Sequence, residues 1–141
     1  MESERAALAS YTIMDLKMPS VTNLDSDLEW ICRCLGFLEP RDKDRTAAKI
    51  FRSLLEAMKA GKGRTSDELA AEIGLTRGAV VHHLNKLIQS GLVIRREGQY
   101  ELRGRSLQRT IREIKRDIDR IFENVEQVAQ SIDKSLELVY R

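Results

Sequence analysis

The 141-residue sequence is poor in the residues that interrupt or cross-link a chain. It contains two prolines, two cysteines and only 5% aromatic residues, which argues against a disordered tail and against a β-sandwich. No stretch approaches the run of about 18 apolar residues that a membrane-spanning helix needs. The first ten residues lack the basic-then-apolar order of a signal peptide. These absences predict a cytoplasmic protein that has no membrane partner.

The two cysteines, Cys32 and Cys34, stand two residues apart. Residues two apart in a helix point to different faces, so an ordinary disulfide between them is excluded. A metal ion would need further ligands, and His82 and His83 are the only histidines. We therefore predict free thiols, one of them packed, with no metal and no other cofactor.

The length fits one modest domain with an appended oligomerisation element, and 42% hydrophobic residues suffice for a core. Residues 1–23 show no regular period and are predicted to be a flexible or partly ordered lead-in. A short helix is then expected to begin with Asp25 or Ser26 as its cap and to close at Pro40. A second helix is expected over about residues 41–60.

Two shorter helices follow. The segment Thr65–Glu68 has the sequence of a capping box for a helix over residues 66–73, which Gly74 ends. Thr76 caps the next helix, which is predicted to run to about Ser90. Two short helices joined by a turn of about three residues that contains Gly form a helix-turn-helix.

The period then changes to that of strands. Residues 92–95 and 100–102 are strand-like, and Glu97 and Gly98 between them favour a tight hairpin turn. The predicted fold class is therefore mainly α with a small β-hairpin wing. Residues 24–104 form a winged helix-turn-helix domain with an extra N-terminal helix.

Residues 105–141 are predicted to form a long dimerisation helix with a heptad pattern. Eight apolar residues follow one another at spacings of four and three, and three more form an additional column in the later half. A helix alone cannot bury such a seam, so a second copy of the chain is expected to cover it. The predicted dimer-interface residues are Leu107, Ile111, Ile114, Ile118, Ile121, Phe122, Val125, Val128, Ile132 and Leu136.

The charge is distributed unevenly. Residues 1–39 hold seven acidic against three basic residues, whereas residues 76–105 hold six basic against two acidic residues. A basic middle section indicates contact with a polyanion. Its predicted recognition helix turns Val80, Leu84 and Leu87 to the core. The opposite face and its flanks carry small or hydrogen-bonding residues suited to a major groove: Arg77, Gly78, Ala79, His82, Asn85, Lys86 and Gln89.

The remaining candidate DNA contacts lie in the wing and in the loop before the helix pair. Arg95, Arg96 and Gln99 lie at or beside the hairpin tip, where arginines can contact a minor groove or a phosphate backbone. Lys62 and Arg64 are candidate phosphate contacts near a helix N-terminus. Thr76 and Val81 complete the predicted DNA-binding set. His83 falls nearer the core and is expected to pack.

The run Thr65–Leu102 resembles the winged-helix regulators of the ArsR and MarR kind, especially small archaeal members of the ArsR group. Three segments of the sequence carry the resemblance: Thr65-Ser66-Asp67-Glu68-Leu69-Ala70, Leu75-Thr76-Arg77-Gly78-Ala79-Val80-Val81-His82-His83-Leu84, and Leu87 with Ser90-Gly91-Leu92-Val93. It implies sequence-selective binding of double-stranded DNA by a homodimer.

The sequence departs from this family at two places. Val81 stands where the family often has a serine, so a contact with a thymine methyl group would replace a hydroxyl contact. Metal-sensing members carry a cysteine pair on a helix of the DNA-binding motif, whereas Cys32 and Cys34 lie upstream of it. Metal sensing is therefore not implied, and no residues indicate an effector.

The interpretation is a nucleoid-associated transcriptional regulator that is not an enzyme, because the sequence contains none of the common nucleotide-binding or nucleophile motifs. Two alternatives remain open. One is an architectural chromatin protein that binds DNA with low selectivity. The other is a winged helix used for protein–protein contacts. Competition with random duplex separates the first from a regulator, and absence of salt-dependent DNA binding would favour the second.

Overall fold

The computed structural model describes residues 10–37 and 45–138. Its helices and strands follow one another in the order expected for a winged helix. The elements are α1 (Leu24–Cys34), α2 (Thr46–Ala57) with a 3-10 turn (Met58–Ala60), α3 (Ser66–Ile73), α4 (Arg77–Gln89), β1 (Val93–Arg96), β2 (Gln99–Leu102) and α5 (Leu107–Ser135).

The first two helices are shorter than the sequence pattern predicts. The cap of α1 is Asn23, whose Oδ1 accepts a hydrogen bond from the Ser26 backbone N–H at 2.8 Å, so the predicted caps Asp25 and Ser26 are wrong. The helix ends at Cys34 because Gly36 takes a left-handed conformation with φ of 75°. Pro40, the predicted end, and residues 41–44 of the predicted second helix lie outside the described residues.

The helix pair agrees with the sequence prediction. The Thr65 side chain accepts from the Glu68 N–H while the Glu68 carboxylate accepts from the Thr65 N–H, so the capping box is complete. Gly74 ends α3 in a left-handed conformation, and Thr76 caps α4 by accepting from the Ala79 N–H. The turn thus holds α4 at a fixed angle to α3.

The hairpin also agrees with the sequence prediction. Strands β1 and β2 are antiparallel, with Val93 opposite Leu102 and Arg96 opposite Gln99. The turn residues Glu97 and Gly98 both have positive φ, 52° and 79°, as a type I′ turn requires. The structure is therefore a winged helix-turn-helix followed by a long helix, as predicted.

Within the described residues, one β-bridge outside the two strands attaches the loop before α3 to the wing. Arg64 and Tyr100 exchange two backbone hydrogen bonds, of 2.9 and 2.7 Å. The chains approach so closely that a Cβ on Gly63 would lie 2.6 Å from the Tyr100 carbonyl oxygen. Gly63 is thus required by close backbone approach, and the sequence analysis did not anticipate this pairing.

One hydrophobic core joins all of these elements. Helix α2 lies at its centre, since Ile50, Phe51 and Leu54 are almost fully buried. Further buried apolar residues come from every helix and from both strands: Leu28, Cys32, Leu69, Val80, Leu84, Leu87, Val93, Leu102 and Ile114.

Residues 10–23 form neither helix nor strand, yet hydrogen bonds attach them to the domain. The Met14 N–H donates to the Cys34 carbonyl at 2.8 Å, and the Trp30 indole N–H donates to the Lys17 carbonyl at 2.8 Å. Tyr11 packs against the core. Part of the predicted flexible lead-in is thus held in place, and its first nine residues lie outside the described residues.

The two cysteines are free and both are buried. Burial, with a smaller effect from the negative charge of Glu29, raises the pKa of the Cys32 thiol to about 12. Burial also raises the pKa of Cys34. Both thiols are therefore protonated near neutral pH and poorly nucleophilic.

Residues 10–37 and 45–138 lack two further features. No group of three or more His, Cys, Asp or Glu side chains is placed to hold a metal ion there. In the same residues, no helix combines the length and apolar character needed to cross a membrane.

Candidate nucleic-acid interface

Helix α4 presents one face to the core and the other to solvent. Val80, Leu84 and Leu87 are at most 1% exposed. On the opposite side Gly78, His82, Asn85 and Gln89 are all exposed. This is the orientation that the apolar spacing predicts, because a helix with one apolar stripe buries that stripe.

The exposed face has the shape and chemistry of a groove-reading surface. A Cβ placed on Gly78 would meet nothing within 4 Å, so the fold leaves open space in front of this backbone. His82 and Asn85 follow at spacings of four and three residues on the same face and offer hydrogen-bond donors and acceptors. Such side chains read base edges in a major groove.

The residues beside this face are partly covered. Ala79, Val81 and Lys86 are half-buried, while Arg77 is exposed and lies 3.8 Å from an Asp67 carboxylate oxygen. An exposed ion pair of that length is weak, so Arg77 can exchange it for a phosphate. The hydroxyl of Thr76 caps the helix, and its predicted DNA contact would share that hydroxyl.

His83 differs from its neighbour as predicted. It is half-buried whereas His82 is exposed, and the two rings meet edge to face with centroids 5.6 Å apart. The half-buried ring of His83 therefore packs against the exposed imidazole of His82.

The wing carries its cations on the solvent side. The Arg95 guanidinium lies over the ring of the buried Tyr100, 5.6 Å from its centroid, which orients the cation by a cation–π contact. Arg96 is exposed and lies 3.4 Å from Glu101. Gln99, opposite Arg96 across the turn, is exposed as well. The predicted wing residues thus surround the hairpin tip.

The Arg64–Tyr100 bridge holds the loop before α3 against the same wing. Arg64 therefore lies between the wing and the N-terminus of α3, and its Nε is buried without a hydrogen-bond partner in the described part of the chain. Lys62, two residues earlier, is exposed. The structure brings these two loop cations next to the wing, although sequence reasoning placed them separately.

The sequence analysis did not predict the ion pairs that form at the base of the wing. Arg103, just after β2, donates to Asp117 of α5 at 2.6 Å and lies 3.2 Å from Glu113. Burial raises the pKa of Asp117, but hydrogen bonds from Arg103 and Tyr11 and the charges of Arg103 and Arg120 outweigh it, so this pKa lies below its usual range. The carboxylate fixes α5 to the base of the wing. Periodicity cannot reveal such a contact because it depends on side chains far apart in sequence.

Helix α5 divides into two parts. Ile114 is buried in the core of its own chain, and Leu107, Ile111 and Ile118 pack against that core. From Ile121 onward the large apolar residues of the seam are 41–65% exposed. Only the later part of the predicted dimer interface, from Ile121 onward, is therefore accessible to a second copy of the chain. Its residues are Ile121, Phe122, Val125, Val128, Ile132 and Leu136.

Comparison with known proteins agrees with the fold. Residues 44–96 match the family model of a helix-turn-helix domain, a family found in ArsR-like regulators. No curated protein and no solved structure shows a significant match to the chain. The match confirms the helix-turn-helix part of the predicted resemblance and points to a DNA-binding regulator with DNA as its partner.

Proposed function

We propose that the protein is a transcriptional regulator that binds double-stranded DNA sequence-selectively and acts as a homodimer. The observation that carries this proposal is the exposed face of α4. It carries Gly78, His82 and Asn85 rather than lysine or arginine at its centre, is open in front of Gly78, and lies opposite a fully buried stripe. A surface that bound phosphates alone would not need these residue types at its centre.

Selectivity would come from the edges of the base pairs. Asn85 can form paired hydrogen bonds with adenine, and His82 can bond guanine or a phosphate. Ala79 and Val81, half-buried on the flank, offer apolar contacts to a thymine methyl group. Arg77 in the first turn can reach a guanine or the backbone.

Affinity would come largely from phosphates. Arg95, Arg96 and Gln99 surround the hairpin tip, and Lys62 and Arg64 lie beside it through the Arg64–Tyr100 bridge. Phosphate contacts fix the register of a protein on the duplex but carry no sequence information. The wing and the loop would therefore position α4, and Thr76 and Lys86 would add contacts at the two ends of that helix.

The homodimer would form through the second half of α5. A nearly apolar groove of about 410 Å³ runs along Val125, Val128, Ala129 and Ile132, with Asn124 at its side. The exposed positions next to the seam are uncharged, and the charged residues of this half lie on its outer side. Because the heptad spacing continues through both halves, a second copy of the same helix is the occupant that fits.

Selection of bound duplexes from a random pool tests the proposal. A regulator of this kind is expected to enrich a pseudo-palindrome with half-sites about one helical turn apart. Competition by unrelated duplex should be weak at a fixed salt concentration. Recovery of no enriched sequence despite salt-dependent binding would replace the proposal by an architectural role, and absence of binding would favour protein–protein contacts.

A further inference from the structure

The first half of α5 carries a row of arginines on the side turned away from the core. Arg109, Arg112 and Arg116 are all exposed and lie within an arc of about 60° at 100° per residue. The opposite side of the same turns packs on the core through Ile111 and Ile114. We call these three arginines the α5 arginine row.

No carboxylate in the described residues pairs with this row. Glu113, one turn after Arg109, lies 3.2 Å from Arg103 instead, and Asp117 binds Arg103 and Arg120. Asp119, the other acidic residue of this half, forms no ion pair with the row. The three cations therefore face solvent without a partner of opposite charge.

This arrangement places like charges next to one another on the helix surface. Arg112 and Arg116 stand four residues apart, where like charges repel, and Arg116 and Arg120 repeat the same spacing. Arg109 lies in the first turn, near the positive end of the helix dipole, and that turn contains no acidic residue. A bound polyanion would relieve both unfavourable effects.

The charge of α5 changes sign where its packing changes. Residues 107–120 contain five basic and three acidic residues, two of which are bound by Arg103 and Arg120. Residues 121–138 contain one basic and four acidic residues. The positive charge of α5 is therefore concentrated in the half that packs on the DNA-binding domain. It is not a general property of the exposed helix surface.

The size of the row suits a nucleic-acid backbone. The three arginines line a polar groove of about 440 Å³ together with Ser106, Gln108 and Glu113, whose carboxylate is paired with Arg103. Seven residues of helix separate Arg109 from Arg116, which is about 10 Å along the axis. Phosphates of one strand advance about 3.4 Å each along a duplex, so the row spans about three of them.

We propose that the α5 arginine row binds phosphates of duplex DNA outside the segment contacted by α4 and the wing. The inference rests on the proposed DNA-binding function and adds to it a second, sequence-independent contact surface. The recognition face lies on α4 and the row lies on α5, each on the side of its helix that is turned away from the shared core.

The test is the salt dependence of binding to a long duplex. Replacing Arg109, Arg112 and Arg116 by glutamine should lower the slope of log K against log salt by about 2–3, since each phosphate contact contributes about 0.9. The matched control replaces Arg33, Arg52 and Lys134 by glutamine. It removes the same charge from sites elsewhere, of which Arg33 and Lys134 are exposed and Arg52 is half-buried, and its slope should equal that of the wild type.

The folded state is checked by thermal unfolding without DNA. The row variant should be at least as stable as the wild type, because it removes like-charge repulsion within the helix. An unchanged slope in a folded row variant would overturn the inference, as would an equal loss of slope in the control. If the wild-type protein binds no duplex at all, the proposed function itself has failed, which is a different result.

Two further arms identify the source of the phosphates. A footprint that shortens in the row variant assigns them to flanking DNA of the same duplex. If the row variant no longer captures a second labelled duplex that the wild type captures together with the first, the phosphates belong to a second duplex that the protein bridges. Vesicles containing phosphatidylserine serve as the competing anion. Arginine-dependent binding to the vesicles with an unaltered DNA slope would contradict the inference.

Discussion

The hydroxyl of Tyr11 donates a 2.6 Å hydrogen bond to Oδ2 of Asp117, which lies 106 residues later in the chain. The same oxygen accepts from Arg103 at 2.6 Å. The N-terminal segment, the base of the wing and the long helix therefore meet at one buried carboxylate. This contact attaches α5 to the wing and to the N-terminal segment, in addition to the packing of Ile114 in the core.

Asp117 should make stability depend on pH in the acid range. Its pKa is lower in the folded protein than in the unfolded chain, so its contribution is complete above the unfolded value near 4 and is lost as pH falls through the folded value. Asp117→Asn should cost about 1–3 kcal/mol at neutral pH, since charge-assisted hydrogen bonds are lost. Denaturant unfolding at pH 7 and pH 3 should show a smaller pH effect in the variant. An identical pH effect in both proteins would contradict this role.

The proposed dimer interface can be tested without disturbing the monomer. Val125 and Ile132 are exposed within the chain, so replacing both by lysine leaves the domain folded but places charges in the interface. A buried unpaired charge costs several kcal/mol, and the dimer should dissociate. Light scattering should report half the molar mass of the wild type. The control Gln127→Lys with Gln130→Lys changes the outer side and should remain dimeric; an unaltered mass for the interface variant would falsify this interface.

The wing arginines should contribute affinity that is independent of sequence. Changing Arg95 and Arg96 to alanine should weaken binding to all duplexes and lower the slope of log K against log salt by about 2, if each neutralises one phosphate. Arg33→Ala with Arg52→Ala removes two arginines that are distant in sequence from the wing, the first exposed and the second half-buried, and provides the comparison. The wing contacts are refuted if the slope does not change.

Two glycines should respond to alanine in opposite ways. Gly63→Ala places a methyl group 2.6 Å from the Tyr100 carbonyl, which must separate the Arg64–Tyr100 bridge and cost about 1–3 kcal/mol. Gly78→Ala meets open space in a helix and should raise stability by up to about 1 kcal/mol. Thermal unfolding compares the two, and equal shifts of Tm in the same direction would disprove the assignment. Gly78→Ala should nevertheless weaken DNA binding, because the backbone could no longer approach the groove as closely.

The elements of local origin could be predicted from the sequence. The capping box at Thr65 and the turn at Glu97 and Gly98 are set by neighbouring residues, and both are confirmed. The cap at Asn23 was missed because three polar residues compete there within four positions. The Arg64–Tyr100 bridge and the Asp117 contact were missed because they join distant segments. Heptad spacing likewise cannot show that Ile114 packs on its own domain rather than on a second copy.

The central claim is that the exposed face of α4 reads sequence, and His82 lies in the middle of that face. His82→Ala should reduce affinity for the selected duplex by about 1–3 kcal/mol, the scale of one good base contact, and leave binding to random duplex almost unchanged. His83→Ala, half-buried beside it, should act through folding stability instead and is the control. The measurement is a paired titration of the three proteins on both duplexes at one fixed salt concentration. The account predicts a loss confined to the selected duplex for His82→Ala, and equal losses on both duplexes would contradict it.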